Sequence, residues 1–210
     1  MEHAPHLTRG RAPRRPRGLV LMLHGGAEHG VDPIGARSAP WLRSRLMMAQ
    51  VQGDLSRADL AVWLLRYRYK GWNPGHEQLP TPVPDARWAL DEVRREHGSL
   101  PVVLLGHSMG ARTSTFVADD ESVHGVVGLA PWFPPSHPVS ALAGKHLVAA
   151  HGRADRITSF AATEKYVHRA SAVAASAQMV DMGDTEHYML KDLGGWNAAA
   201  VQHAVEIFDR

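Results

Sequence analysis

The sequence predicts an α/β fold: a three-layer αβα sandwich built on a mostly parallel sheet of six to seven strands. Three observations predict it. Short β-like runs alternate with longer helix-like runs along the chain. The short runs are apolar almost throughout, as strands covered on both faces are. The Gly- and Pro-rich patches at 71–84 and 131–138 each follow a strand end, where an α/β sheet places its loops.

The elements follow in order. The first clear strand is 19–23 (LVLML), and a helix is expected over about 36–50. A second strand, 60–66 (LAVWLLR), precedes a helix over 84–97, in which Trp88, Ala89, Leu90 and Val93 form one side and Asp91, Glu92, Arg94, Arg95 and Glu96 the other. Strand 102–105 (VVLL) runs into a helix over 109–118. Strand 125–129 (GVVGL) comes next, then strand 146–150 (HLVAA) with a helix over 159–173. Strand 177–181 (AQMVD) and a last helix over 196–208 close the series. Right-handed crossovers would gather the strand C-terminal ends on one edge, where α/β sites form.

Composition narrows the function classes. The chain has 210 residues, enough to bury a sizeable core in one domain. It has no cysteine, which excludes disulfides, zinc–thiolate sites, iron–sulfur clusters and a Cys nucleophile. The net charge is +2; five arginines against Glu2 give residues 1–17 a charge of +4 and leave −2 for the rest. The division is therefore a basic N-terminal tail, 1–17, and a single domain, 18–210. Without interleaved aromatics the tail is a poor nucleic-acid signal and reads as a solvated terminus. Arg14-Arg15 precedes an apolar run of only five residues, short of the roughly 7–15 of a secretory h-region. No run approaches the ~18 apolar residues of a membrane span. The expected location is cytoplasmic, with neither nucleic acid nor membrane as partner. No phosphate loop, dinucleotide fingerprint or metal cluster stands out, so no cofactor and no metal are expected.

Gly106-His107-Ser108-Met109-Gly110 has the form G-x-S-x-G and lies between a strand and a helix. Such a serine sits on a tight turn that lifts its hydroxyl above the sheet edge. Small residues two before and two after let neighbouring backbones approach. Upstream, 19–23 runs into His24-Gly25-Gly26-Ala27. A strand entering HGG ahead of such an elbow supplies an oxyanion hole, whose donors would be the amides of Met109 and Gly26, or Ala27 if the register slips by one.

With 14 histidines, position must select the base. His187 follows the last strand and fits the order Ser…Asp…His. His107 is expected to point away from Ser108, and His151 to begin and shape the preceding loop. His168 and His203 fall on solvated helix faces. Asp155, after strand 146–150, is the expected orienter of His187, with Asp184 in the His loop as its competitor. Trp72, Trp132, Phe133 and Tyr188 are candidates for an acyl pocket or for satellite core. Arg112 is a candidate contact for an acidic substrate or a solvated side chain. The basic–aromatic stretch 66–72 reads as a strand exit in preference to a nucleic-acid platform.

These motifs (HGG at 24–26, GHSMG at 106–110, HGRAD at 151–155, DTEH at 184–187) resemble the α/β-hydrolase superfamily over about nine-tenths of the chain. The excess of 19 Arg over 4 Lys resembles a high-GC bacterial gene. The resemblance implies a small, lidless bacterial serine hydrolase acting on a small-molecule ester, thioester or lactone through an acyl-enzyme on Ser108. An acyl-transfer or cyclising enzyme and a non-catalytic binding module are the alternatives. Two departures from the superfamily stand out. About 18 residues precede the first clear strand, room for one weak strand near Leu7. Only residues 133–143 lie where relatives insert a helical lid. Ala111 also replaces a glycine common after the elbow.

Overall fold

The computed structural model describes residues 4–74 and 81–210. Seven strands form one sheet: β1 (His6–Arg9), β2 (Gly18–Leu23), β3 (Leu60–Arg66), β4 (Val102–His107), β5 (Val123–Leu129), β6 (His146–His151) and β7 (Ser176–Asp181). Their spatial order is β1-β3-β2-β4-β5-β6-β7, parallel throughout except that β1 runs antiparallel to β3. Among the described residues the α-helices are α1 (Ala39–Arg57), α2 (Pro82–His97), α3 (Met109–Phe116), α4 (Phe160–Ala170) and α5 (Leu193–Phe208).

The uniformly apolar strands are explained by two cores, one on each face. Leu19, Leu21 and Leu23 of β2 face the layer of α2, α3 and α4, while Val20 and Met22 face α1 and α5. In β3, Ala61, Trp63 and Leu65 divide from Leu60, Val62 and Leu64 in the same way. A period of two with both faces covered leaves no polar position in a central strand.

Several elements differ from their sequence-predicted extents. β1 lies inside the segment read as a basic tail: Leu7 is buried, and Arg9 stacks on Trp63 and pairs with Glu96, so this part of the tail is an edge strand. Four residues with one apolar anchor are too few to show a periodicity. Helix α1 runs past position 50 to Arg57, because Val51 and Leu55 continue the buried stripe of Met47 and Met48. Helix α2 starts at Pro82 within the patch read as a loop, since proline suits a first helical turn. Residues 75–80 of that patch lie outside the described residues. Helix α5 begins earlier, at Leu193, where the Asp192 side chain accepts the Gly195 amide. His203 is buried and its Nδ1 meets Glu206, so it is not on a solvated face.

Between β5 and β6 there is only loop and one 3₁₀ turn (Ser140–Leu142), so no helical lid is inserted there. The chain reverses its winding direction between β2 and β4, the adjacent central strands. Loops leaving the C-terminal ends of such strands diverge and open a crevice. The HGG loop and the serine elbow leave these two strands.

Candidate active site

Ser108 joins β4 to α3 with φ 54° and ψ −116°, a left-handed conformation that is strained for a side chain bearing Cβ. Its amide donates to the carbonyl of Leu129 at 3.0 Å, and its carbonyl accepts from Ala111 at 3.1 Å. Both elbow glycines are sterically required. A Cβ on Gly106 would run into the backbone of Ala111, and one on Gly110 into the carbonyl of Leu23. Ala111 itself is fully buried, and the start of α3 accommodates its methyl.

The HGG loop lies against the elbow. A Cβ on Gly25 would stand 3.0 Å from His107 Nδ1 and 3.5 Å from Ser108 Cβ. One on Gly26 would strike the Met109 side chain and stand 2.5 Å from the Lys70 carbonyl. His24 accepts the Tyr67 amide at Nε2 (3.2 Å), which leaves the proton on Nδ1 to donate to the Gly25 carbonyl at 2.5 Å. Burial lowers this imidazole to about 4 and keeps it neutral. The exit of β3 clamps the loop from the other side. The Ala27 amide donates to Lys70 at 2.8 Å, and the Trp72 and Asn73 amides donate back to Ala27 and Glu28. The Ala27 amide is therefore occupied. The Gly26 and Met109 amides make no bond to any described residue. In the basic–aromatic stretch 66–72, Tyr67 is buried, Arg68 binds Asp85 at 2.6 Å, and the half-exposed Lys70 pairs with Asp32.

Asp155 and His187 meet. His187 Nδ1 lies 2.8 Å from Asp155 Oδ2. The two loops are fastened by the Arg153 amide to the Gly183 carbonyl (2.7 Å) and the Ala154 amide to the Thr185 carbonyl (3.2 Å). A Cβ on Gly152 would collide with Thr185. Burial pushes the Asp155 carboxyl up. Hydrogen bonds from His151, His187 and the Thr158 and Ile157 amides outweigh it and hold the group well below the usual carboxylate range. Asp184, the competitor, is exposed and pairs with Lys191 at 2.7 Å. Glu186 takes the amides of Tyr188, Leu190 and Lys191 and so shapes the turn that carries His187.

Ser108, His187 and Gly26 line one cavity of about 240 Å³, together with His107, Tyr188 and Arg43. Two further histidines are fixed beside the pair. His107 packs against the His loop. It is buried, its Nε2 lies 3.0 Å from the His187 carbonyl, and burial lowers it to about 3, so the neutral ring donates from Nε2. His151 is the last residue of β6, fully buried, and its Nε2 lies 3.0 Å from Asp155 Oδ2.

Of the four aromatic candidates, only Tyr188 lines this cavity. Trp72 and Trp132 sandwich the Arg112 guanidinium at 4.0 and 4.3 Å. Phe133 is buried and stacks on Tyr166 at 4.0 Å. Arg112 is thus partly buried and off the cavity; burial lowers it to about 10. Sequence reasoning missed Thr158 and Arg43. Asp-x-x-Thr at 155–158 is a signal for the first, because such a carboxylate caps its own turn. The second belongs to no motif. Among the described residues, no group of three or more His, Asp or Glu side chains is placed to hold a metal ion.

A seven-stranded, mostly parallel sheet with a strained serine elbow, a glycine loop beside it and an Asp–His pair on the same edge defines a lidless α/β hydrolase. Residues 18–165 match the family model described as the alpha/beta hydrolase fold, and the chain belongs to that family. Among solved structures it is similar to an alpha-beta serine hydrolase homologue from Coxiella burnetii (17% identity, 95% of this chain and 90% of that one, TM-score 0.70). It is also similar to XC6422 from Xanthomonas campestris, an α/β serine hydrolase without a lid (17%, 96% and 88%, TM-score 0.65). A third is Est1E from Butyrivibrio proteoclasticus with ferulic acid bound (12%, 98% and 96%, TM-score 0.68). No curated protein matches the sequence. The family supports a hydrolase. No described helix is long and apolar enough to cross a membrane.

Proposed function

We propose that the protein is a serine carboxylester hydrolase for a small soluble substrate, with Ser108 as nucleophile, His187 as general base and Asp155 as its orienter. The observation that carries this reading is the 2.8 Å contact from Asp155 to His187 Nδ1, with His187 and Ser108 on one cavity. With Nδ1–H donating to Asp155, Nε2 is left free to take the Ser108 proton. The serine oxygen then attacks the ester carbonyl. The amides of Gly26 and Met109 receive the negative charge that develops on the carbonyl oxygen, each worth roughly 3 kcal/mol of barrier. Collapse expels the alcohol, protonated by His187, and leaves an acyl-serine. Water, deprotonated by the same imidazole, releases the acid. A thioester or lactone would follow the same course.

The test is intact mass after fluorophosphonate treatment, with peptide mapping and a Ser108→Ala control. One adduct on Ser108, absent in the variant, is expected, together with turnover of p-nitrophenyl acetate. A folded protein that takes no adduct would overturn the reading in favour of a binding module.

A further inference from the structure

The cavity at Ser108 holds one cation that the hydrolytic steps do not use. Arg43 lies on the second turn of α1 and lines the cavity with Ser108, Gly26 and His187. Its guanidinium lies 4.5 Å over the Tyr188 ring, and that stacking fixes its plane. It makes no hydrogen bond or ion pair with any described residue. Other arginines that line the fold hold a carboxylate: Arg68 binds Asp85, Arg94 binds Asp120 and Arg153 binds Asp181. Arg112 is also unpaired, but it is closed between two indoles and does not reach the cavity.

The anions near Arg43 are already engaged. Asp155 has no exposed side-chain surface and is bound by two imidazoles. Glu186 is felt by Arg43, but its oxygens hold three backbone amides. The first turn of α1 adds to the positive character. Ala39 and Pro40 line the same cavity, and the helix N-terminus carries partial positive charge. A stacked guanidinium with free in-plane N–H groups is a fork for a carboxylate.

We propose that Arg43 is a specificity-determining residue that binds a carboxylate on the substrate, so that the preferred substrate is a small ester carrying a free carboxylate. The proposal rests on the serine hydrolase reading for the reaction, but the binding itself does not depend on Ser108. The cavity volume of about 240 Å³ falls below the roughly 300–1,000 Å³ of ordinary ligand pockets, so the walled part of the site suits a short carboxylate-bearing group.

The experiment has two arms. The first compares kcat/KM for mono-p-nitrophenyl glutarate and for p-nitrophenyl butyrate in the wild-type protein, Arg43→Gln and Arg43→Lys. The ratio of the charged to the neutral ester is expected to fall about tenfold or more in Arg43→Gln, the scale of a lost charged hydrogen bond, mainly through KM. Arg43→Lys, which keeps the charge but not the fork, should retain part of it. The second arm measures glutarate binding to Ser108→Ala by calorimetry, with and without Arg43→Gln. Binding that requires Arg43 supports the proposal. If it occurs with no ester turnover by the wild-type protein, the carboxylate site stands and the nucleophile assignment fails. An unchanged selectivity ratio, or glutarate binding that is absent or indifferent to Arg43, overturns the proposal.

Discussion

Asp155 Oδ2 is shared by two imidazoles: His187 Nδ1 approaches it at 2.8 Å and His151 Nε2 at 3.0 Å. The Thr158 hydroxyl donates to the same oxygen at 2.8 Å, and the Ile157 and Thr158 amides donate to Oδ1 at 2.8 and 2.9 Å. Every partner is a donor, so the site is built for an ionised carboxylate. Asp155→Asn turns an NH₂ toward donors. We expect a loss of about 3–5 kcal/mol in stability, the scale for breaking a buried charge pair. Ester turnover should fall about 10³–10⁴-fold through misorientation of His187. Urea unfolding and kcat measure the two effects separately.

Thr158 offers a milder cut of the same network. Its hydroxyl lies 2.8 Å from Asp155 Oδ2 and 3.2 Å from His187 Nδ1, so it braces the pair without touching the cavity oxygen of Ser108. Thr158→Val keeps the shape and removes the donor. An approximately tenfold drop in kcat with little change in KM is expected, and Thr158→Ser should restore it. A variant with wild-type kcat would show that the two histidines and the Ile157 and Thr158 amides hold Asp155 without the hydroxyl.

The central strands were legible because two-sided burial makes them almost wholly apolar, and all six runs reappear as strands, including the half-exposed edge strand β7. The weak strand expected near Leu7 is β1, but its antiparallel pairing with β3 was not legible, because Leu7 is its only buried side chain in four residues. Ser108, Asp155 and His187 were legible as candidates because the elbow needs glycines at fixed offsets and the other two follow strand ends. That the Ala27 amide is engaged was not. It turns on the Lys70 carbonyl, which β3 delivers from 43 residues away in the chain. The destination of Trp72 and Trp132 was equally hidden. Both follow strand ends, yet their rings close on Arg112. Side-chain direction at a loop is set by tertiary neighbours, and no local pattern encodes it.

Two glycine-to-alanine changes should act in opposite directions. A Cβ on Gly110 has no room beside the Leu23 carbonyl, so Gly110→Ala must move β2 against the elbow. It should destabilise the fold by several kcal/mol and abolish turnover. Gly53 lies inside α1, where a Cβ would meet nothing within 4 Å. Gly53→Ala should stabilise by about 0.5–1 kcal/mol, the gain in helix propensity, and leave turnover unchanged. Thermal unfolding of both variants measures this contrast.

Acid should unfold the protein in a window set by three buried imidazoles. Burial lowers His24 to about 4, and His107 and His137 to about 3. The unfolded chain takes up the same protons near an ordinary histidine value of about 6.5. Between about pH 6.5 and 4 the unfolded state therefore binds more protons, and stability falls as pH falls. Asp155, held below its ordinary value, acts in the same direction but only under about pH 4. The urea midpoint should be nearly flat above pH 7 and drop steeply below pH 6. His137 makes the cleanest control, because its Nε2 meets only Thr115 and it does not line the Ser108 cavity. His137→Gln removes one such proton acceptor, so its slope should be shallower by about 1.4 kcal/mol per pH unit at most. A wild-type midpoint that stays level down to pH 4.5 would mean these imidazoles accept protons within the fold.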